Sequence, residues 1–525
     1  MDEGHAVTTD EPLNRSAVGA AFTAVAARRP DAVALRWDVD TRAGSMTYGG
    51  LAVRARRLAK RLLDDDLAPG DRLALWSANN YQWIVAQLAA ALAGVVLVPI
   101  NPALTESEAR FILTSSGARL LLPGPLWRGR DLVATASALA TDVPDLRICP
   151  LTEWVESPDG DEDPGAAAGL PTVSPDDLMV IQYTSGTTGT PKGAMLTHLV
   201  GTNVGPLSHG ALGLTEDDVI CSPLPLHHVG GSVCTLLATL LRGATYVVLP
   251  GFEVRQTLTT LRRAEATFFG GVPTIMLALL EEVGDASPDL PALRMTMVGG
   301  STVAPALITA IERTFAVEVA NGYGQSEAPV CLQTRPGDTA IVKAQTIGRA
   351  TPYREVTILD LDGVPVPPDV LGELCVRGEL VMSGYWNERD ASRSSAFDDA
   401  GWLHTGDLAA QDADGVVTLH GRLRDVIIRG GENIYPAEVE SVLATHPDIL
   451  DVAVIAAPDA RWCEVPVAFV RTRRAALDPA ELEMFARARL ASFKVPRTWH
   501  QVPEFPLTAS GKIQKYKLTE LLAES

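Results

Sequence analysis

A chain of 525 residues is longer than one hydrophobic core ordinarily organises, so two or three domains are expected. Hydrophobic residues make up 46% and charged residues 21%, which excludes a chain too polar to bury a core. The net charge of −20, with no Lys/Arg run, argues against a nucleic-acid partner.

From the N-terminus, "MDEGHAVTTDEPLNRS" (1–16) is acidic and polar and reads as a flexible terminus. It has neither the basic start nor the apolar stretch of a signal peptide. "DRLALWSAN" predicts a strand, and a helix follows from about Tyr81. Gly94 stops that helix and "VVLVP" is the next strand, so the apolar run Ile84–Ile100 is a buried helix and strand, not a membrane span. Residues 153–177, rich in Pro, Gly and acids, read as a solvated surface connection. "DLMVIQYT", "GATYVVLP", "ATFFGGVP" and "RMTMVGGS", with helical sequence between them, predict an α/β domain with largely buried strands. From about 350 to 421 the texture changes to short strands and turns ("VTILDLDG", "GELCVRG", "GVVTLHGR"), a β-rich subdomain of an N-terminal domain spanning 17–421. "GRLRDVIIRGGENIYPAEVE" opens the remainder, 422–525, a small α+β domain with a helix starting at Asp478-Pro479.

Cys149, Cys221, Cys234, Cys331, Cys375 and Cys463 are scattered, with no CxxC pair and no His at ligand spacing. Reduced thiols and a cytoplasmic location are therefore expected, without structural zinc or a disulfide framework.

The most informative stretch is "IQYTSGTTGTPKGAML" (181–196). Successive small residues let backbone N–H groups face an anion, hydroxyls add donors, and Lys192 adds a fixed cation. Taken alone, a phosphate cradle and a plain linker explain such a run about equally, but the strand-like "MVIQYT" leading in disfavours a linker. It is not the Walker pattern, because Lys192 follows Pro191 and precedes Gly193.

"YTSGTTGTPKG", followed in order by "PLPLHHVGG", "NGYGQSE", "GWLHTGDLA", "GRLRDVIIRGGENIYPAEVE" and "PLTASGKIQK", resembles the adenylate-forming (ANL) superfamily: acyl-CoA synthetases, peptide-synthetase adenylation domains and firefly luciferases. The resemblance covers roughly residues 20–520. It implies a large N-terminal AMP-binding domain with a small mobile C-terminal lid. The implied chemistry is activation of a carboxylic acid by ATP and Mg²⁺ to an acyl-adenylate, with pyrophosphate released. The acyl group then passes to the thiol of CoA, with the thiol of a carrier-protein phosphopantetheine or another nucleophile as the alternatives. Two anions must meet, so cations and aligned donors are needed.

On this resemblance Thr184, Ser185, Gly186, Thr187, Thr188, Gly189 and Lys192 would hold phosphates. Tyr323 would lie against adenine, with Asn321 and Gly322 near its polar edge. Ser326 would touch the α-phosphate and Glu327 would bind Mg²⁺. Gly299, Gly300 and Ser301 would lie under the adenine and acyl group. Asp407 and Arg422 would hold the ribose. Lys512 would swing in to bridge carboxylate and phosphate. Arg424 falls at the hinge position, and Gly430 and Gly431 would border a pantetheine tunnel or simply form tight turns.

"PLPLHHVGGS" would line the acyl site. His227 and His228 would position the carboxylate or gate the tunnel, with a packed core ring as the alternative for each. Gly230, Gly231, Ser232 and Gly324 are small and leave volume, which suggests an acid larger than acetate. No acidic residue follows the His pair where amino-acid-activating relatives place one, so a plain acyl or aryl acid is favoured. Lys494 and Arg497 are candidate contacts for the CoA 3′-phosphate. Cys463 stands where the family usually has Gly, at a cost of about 1 kcal/mol or more if the turn needs φ > 0. The oligomeric state, monomer or homodimer, is not written in these patterns. A nucleotide-binding regulator without chemistry is the reading from another class, and Lys192, Glu327, Asp407 and Lys512 argue against it.

Overall fold

The computed structural model describes residues 11–524, except 40–41, 140–142, 144, 157–168, 185–190, 285–287, 301–302, 304, 361, 389–394, 430–431, 460, 475–477 and 508–512. It divides into two compact units, Met1–Glu355 with Val376–Leu403, and Val356–Cys375 with His404–Ser525.

The first unit carries two sheets. The six-stranded sheet runs, in spatial order, Lys192–Thr197, Leu178–Thr184, Val96–Ile100, Arg72–Trp76, Leu120–Pro123 and Arg147–Ile148. All its neighbours are parallel except the first pair. Parallel strands need helices across their faces, and the sequence supplies them. Tyr81–Ala93 is capped by the Asn80 side chain on Trp83 N and ends at Gly94 in a left-handed conformation, as the sequence predicts. Leu97, Val98 and Ile100 are fully or almost fully buried beside it.

The nine-stranded sheet orders Arg349–Ala350, Leu332–Gln333, Glu318–Tyr323, Met295–Gly299, Phe268–Gly271, Val219–Ser222, Thr245–Val248, Val33–Val39 and Arg42–Thr47. Its middle is parallel and its ends antiparallel. One core cluster on this sheet joins Phe269, Val298, Ile308, Ile311 and Val319.

The second unit carries most of a four-stranded sheet (Arg354–Leu359, Gly372–Gly378, Leu403–Gln411, Val417–Arg422). A five-stranded sheet follows, with the long hairpin Ile449–Asp459 and Cys463–Thr472 at its heart. Helix Pro479–Arg487 starts at Asp478, whose side chain accepts from Ala480 N and Glu481 N.

Two expectations change. The connection at 153–177 begins inside the helix Leu151–Glu156, where Trp154 and Val155 are buried, because one turn of helix hides both apolar side chains before the acidic stretch starts. Residues 11–16 are fastened rather than loose: Asn14 exchanges hydrogen bonds with the Asn203 side chain at 2.8 and 2.9 Å, and Arg15 pairs with Glu379. Among the described residues no helix is long and apolar enough to cross a membrane.

Candidate active site

Lys192 stands directly across from Thr184 on antiparallel strands, and Thr184 Oγ1 donates to Lys192 O at 3.4 Å. The described residues on either side of the Gly/Thr/Ser run therefore belong to two antiparallel strands, unlike phosphate loops that lead from a strand into a helix N-terminus. Ser185, Gly186, Thr187, Thr188 and Gly189 lie outside the described residues, as do Ser301, Gly430, Gly431 and Lys512.

The Lys192 ammonium sits over the ring of Tyr385, 4.7 Å from its centroid. The Tyr385 hydroxyl donates to Glu327 Oε1 at 2.8 Å. Burial and the Glu327 carboxylate both push this phenol above its usual range, so it remains a donor. The backbone around Tyr385 forms a strap. Ser383 N donates to Met195 O at 2.9 Å, Met195 N to Gly384 O at 3.0 Å, and Trp386 N to Gly193 O at 2.7 Å. Met382 N reaches the Glu327 carbonyl at 2.8 Å, so the strap ties the six-stranded sheet to the turn after Glu318–Tyr323.

On the nine-stranded sheet, Gly299 and Gly322 are paired in register on parallel strands. Gly300, Tyr323, Gly324, Ser326 and Glu327 follow from the C-terminal ends of those two strands, where open α/β sheets place ligands. Tyr323 ends its strand, and its hydroxyl accepts from Gln325 Nε2 at 3.2 Å. Asn321 is buried, and its side-chain amide donates to Thr346 O at 2.9 Å, a bond that fastens the fold. Ser326 is also buried.

The His pair is held from two sides. Asn79 clamps the approach, with Nδ2 donating to Leu224 O at 3.0 Å and Oδ1 accepting from Leu226 N at 2.7 Å. Gln182, on the strand leading to the Gly/Thr/Ser run, donates to His227 O at 3.0 Å. His227 is enclosed on its Nδ1 edge, and that atom has no hydrogen-bond partner among the described residues. Burial, with His228 adding, pushes its pKa down to about 3, so the ring is neutral. His228 is exposed; its carbonyl accepts from Ser232 Oγ at 3.0 Å and its Nδ1 from Gly230 N at 3.2 Å. Gly230–Leu237 is a buried π-helix, a wide turn often found at functional positions.

The volume expected from small residues is partly used by the chain itself. A Cβ at Gly231 would lie 2.2 Å from Pro225 O, and one at Gly324 2.3 Å from Val330 N. These two glycines answer to close backbone approach, so their smallness says nothing of the acid's size.

In the second unit, Asp407 and Arg422 lie opposite each other on neighbouring strands, with Arg422 Nε 2.7 Å from Asp407 Oδ1. Asp407 is buried. Its turn is braced by Glu373, which accepts from Gly406 N at 2.9 Å and pairs with His404 Nδ1 at 2.8 Å. Arg424 follows in the one-turn 3₁₀ segment Leu423–Asp425 and is more than half exposed. Lys494 is occupied by Glu438, with both carboxylate oxygens at 2.7 Å, so it is not an open cation for a phosphate.

The sequence profile of AMP-binding enzymes matches residues 22–386, and that of the AMP-binding enzyme C-terminal domain matches 438–512. The chain belongs to the AMP-binding enzyme family. Within this family it is 33% identical to the human mitochondrial medium-chain acyl-CoA ligase ACSF2, over 98% of this chain and 88% of that protein. It is 35% identical to a propanoyl:CoA ligase of Rhodococcus jostii (strain RHA1) whose acyl group carries a methyl-dioxo-octahydro-indenyl ring system, over 90% and 93% of the two chains. Among solved AMP-binding enzymes, ATP-bound MatB of Rhodopseudomonas palustris superposes with a TM-score of 0.85 at 28% identity, covering 96% of this chain and 98% of that one. The fold is thus the ANL fold.

Sequence reasoning passed over three residues that build this site: Tyr385, Asn79 and Gln182. Asn79 and Tyr385 lie in short polar or aromatic stretches without periodicity, Gln182 lies inside an apolar strand, and only the tertiary contacts reveal them.

Proposed function

We propose that the protein is an AMP-forming acid–thiol ligase of the acyl-CoA synthetase type. It activates a carboxylic acid with ATP, releases pyrophosphate and transfers the acyl group to CoA. The observation that carries this is the convergence, within the first unit, of Lys192, Glu327 and the strand ends bearing Gly299, Gly322 and Tyr323. Family membership over nearly the whole chain stands beside it.

In this reading the Gly/Thr/Ser run and Lys192 take the β- and γ-phosphates, and Tyr323 lies along the adenine. Asp407 accepts from the ribose hydroxyls, with Arg422 fixing its carboxylate. Lys512 bridges the acid and the α-phosphate when the C-terminal domain, which we bound at 422–525, turns about Arg424. The acid is a plain acyl or aryl carboxylate; the two curated relatives named above are acyl-CoA ligases. Neutral His227 offers the acid no charge to pair with, and exposed His228 is the contact for its carboxylate.

Mg²⁺ fits at Glu327. A ligating carboxylate is ordinarily held by an outer hydrogen bond, and Tyr385 supplies one to Oε1 at 2.8 Å. Bound there with phosphate oxygens and water, the ion would offset charge on the phosphates. Six free cysteines suit a reducing compartment such as the cytoplasm.

The test is pyrophosphate release across fatty, aryl and amino acids, repeated with CoA and followed by product mass. Plain acids should give pyrophosphate alone and acyl-CoA when the thiol is added; no pyrophosphate with any acid would overturn the reading. Lys512→Ala should lower adenylation about 10²–10³-fold while ATP binding is kept.

A further inference from the structure

Lys192 lies on the six-stranded sheet and Glu327 in the turn after a strand of the nine-stranded sheet, and one side chain touches both. The ring face of Tyr385 carries the Lys192 ammonium at 4.7 Å, and its hydroxyl donates to Glu327 Oε1 at 2.8 Å. Its backbone is fixed independently, by an antiparallel bridge to Ala194 and by the hydrogen bonds of the strap on either side. We infer that Tyr385 is a positioning residue that aims the Lys192 cation and the Glu327 carboxylate at one nucleotide–metal complex, the ring serving one and the hydroxyl the other. The inference rests on the roles proposed above for those two residues.

The physical case is geometric. A Lys on a four-carbon stem and a Glu on a two-carbon stem both carry rotamer freedom that must be lost on binding. A cation over a ring keeps its charge, because the ring's quadrupole attracts it without neutralising it. A carboxylate that accepts from a phenol keeps its other oxygen for a metal, with its plane fixed by the outer bond. A Lys192–Glu327 ion pair would orient both groups but cancel the charges that phosphate and Mg²⁺ need. The tyrosine between them orients each and prevents that pairing.

The two functions of the side chain separate by substitution. Tyr385→Phe keeps the ring under Lys192 and removes the donor to Glu327; Tyr385→Leu removes both. The readout is calorimetric affinity for a non-hydrolysable ATP analogue, with and without Mg²⁺, using the full chain. Wild type should bind the analogue more tightly with Mg²⁺. In Tyr385→Phe that gain should shrink about tenfold while metal-free affinity is unchanged. In Tyr385→Leu the metal-free affinity should fall as well. In a Glu327→Gln background, Tyr385→Phe should have no further effect.

An undiminished Mg²⁺ gain in Tyr385→Phe would overturn the inference, as would a Tyr385→Phe effect that persists after Glu327→Gln. No binding of the analogue to wild type would instead overturn the proposed function.

Discussion

In the first unit, a cation and a carboxylate are kept on separate parts of one tyrosine, and neither neutralises the other. In the second unit, Asp407 and Arg422 are in direct contact across a strand pair, with the acid buried. Both arrangements hold charged groups still, by opposite means. The tyrosine leaves two charges available for ligands that carry strong charge. In the proposed reading the ion pair fixes an acceptor for neutral ribose hydroxyls, where a bare buried carboxylate would be costly. The difference teaches that ligand charge shapes how a protein disciplines its own.

The contrast breaks most visibly at Lys192. Lys192→Met should lower kcat/KM for pyrophosphate release about 10²–10³-fold while leaving the thermal midpoint nearly unchanged. A variant that lost stability in step with activity would mean that the ammonium is a structural part of the fold. At the other place the order reverses. Arg422→Met should destabilise the protein by about 2 kcal/mol in chemical denaturation, below the full penalty for breaking a buried pair because the arginine is partly exposed. Adding Asp407→Asn should restore much of that stability without restoring nucleotide affinity. If Arg422→Met leaves the denaturation midpoint in place, the pair is not a stabilising contact and the comparison fails.

A pH series sharpens the picture for the first unit. Burial lowers the pKa of His198 to about 4, and of His209 and His227 to about 3. Folded-state values below the unfolded value mean that the unfolded chain takes up protons first. Stability is therefore full above about pH 6.5 and falls as the pH drops toward 3–4. His209 alone should cost about 1–2 kcal/mol near pH 5. The difference in urea midpoint between wild type and His209→Gln should narrow as the pH falls through this window; a constant difference would contradict it.

The smallest effect lies at Cys463. This residue closes the hairpin after Asp459, which accepts from Arg461 N and Trp462 N, and its φ is 67°. The left-handed conformation that the family pattern anticipates is thus present, with a Cys in place of Gly. Cys463→Gly should stabilise by up to about 1 kcal/mol in the same denaturation assay, strain relief being offset in part by a freer unfolded chain.

Regular elements were the legible part of the fold. The helix from Tyr81, its Gly94 stop, the helix capped by Asp478 and strands such as Arg72–Trp76, Val96–Ile100, Leu178–Thr184, Thr245–Val248 and Met295–Gly299 announce themselves through local composition and caps, whereas Leu120–Pro123, Val219–Ser222 and Glu318–Tyr323 do not. Trp154 and Val155 were hidden in an acidic, Pro/Gly-rich stretch because composition averages over a single buried turn. Of the site, motif residues could be named, but their supports could not. Asn79, Gln182 and Tyr385 act through partners far along the chain, and a single sequence carries no trace of such distances. The glycines at 231 and 324 misled for a related reason, since a missing Cβ looks the same whether a ligand or the chain's own backbone takes the space.

The strap from Met382 has a consequence for how the protein is made. The strand that carries Lys192 and the strand and turn that lead to Glu327 leave the ribosome well before the segment that fastens them. Until residues near Asn387 emerge, both sheets have all their strands but lack the backbone hydrogen bonds that fasten one to the other. Synthesis that stalls or ends in that interval should yield a sticky, chaperone-dependent product, not a weakened enzyme.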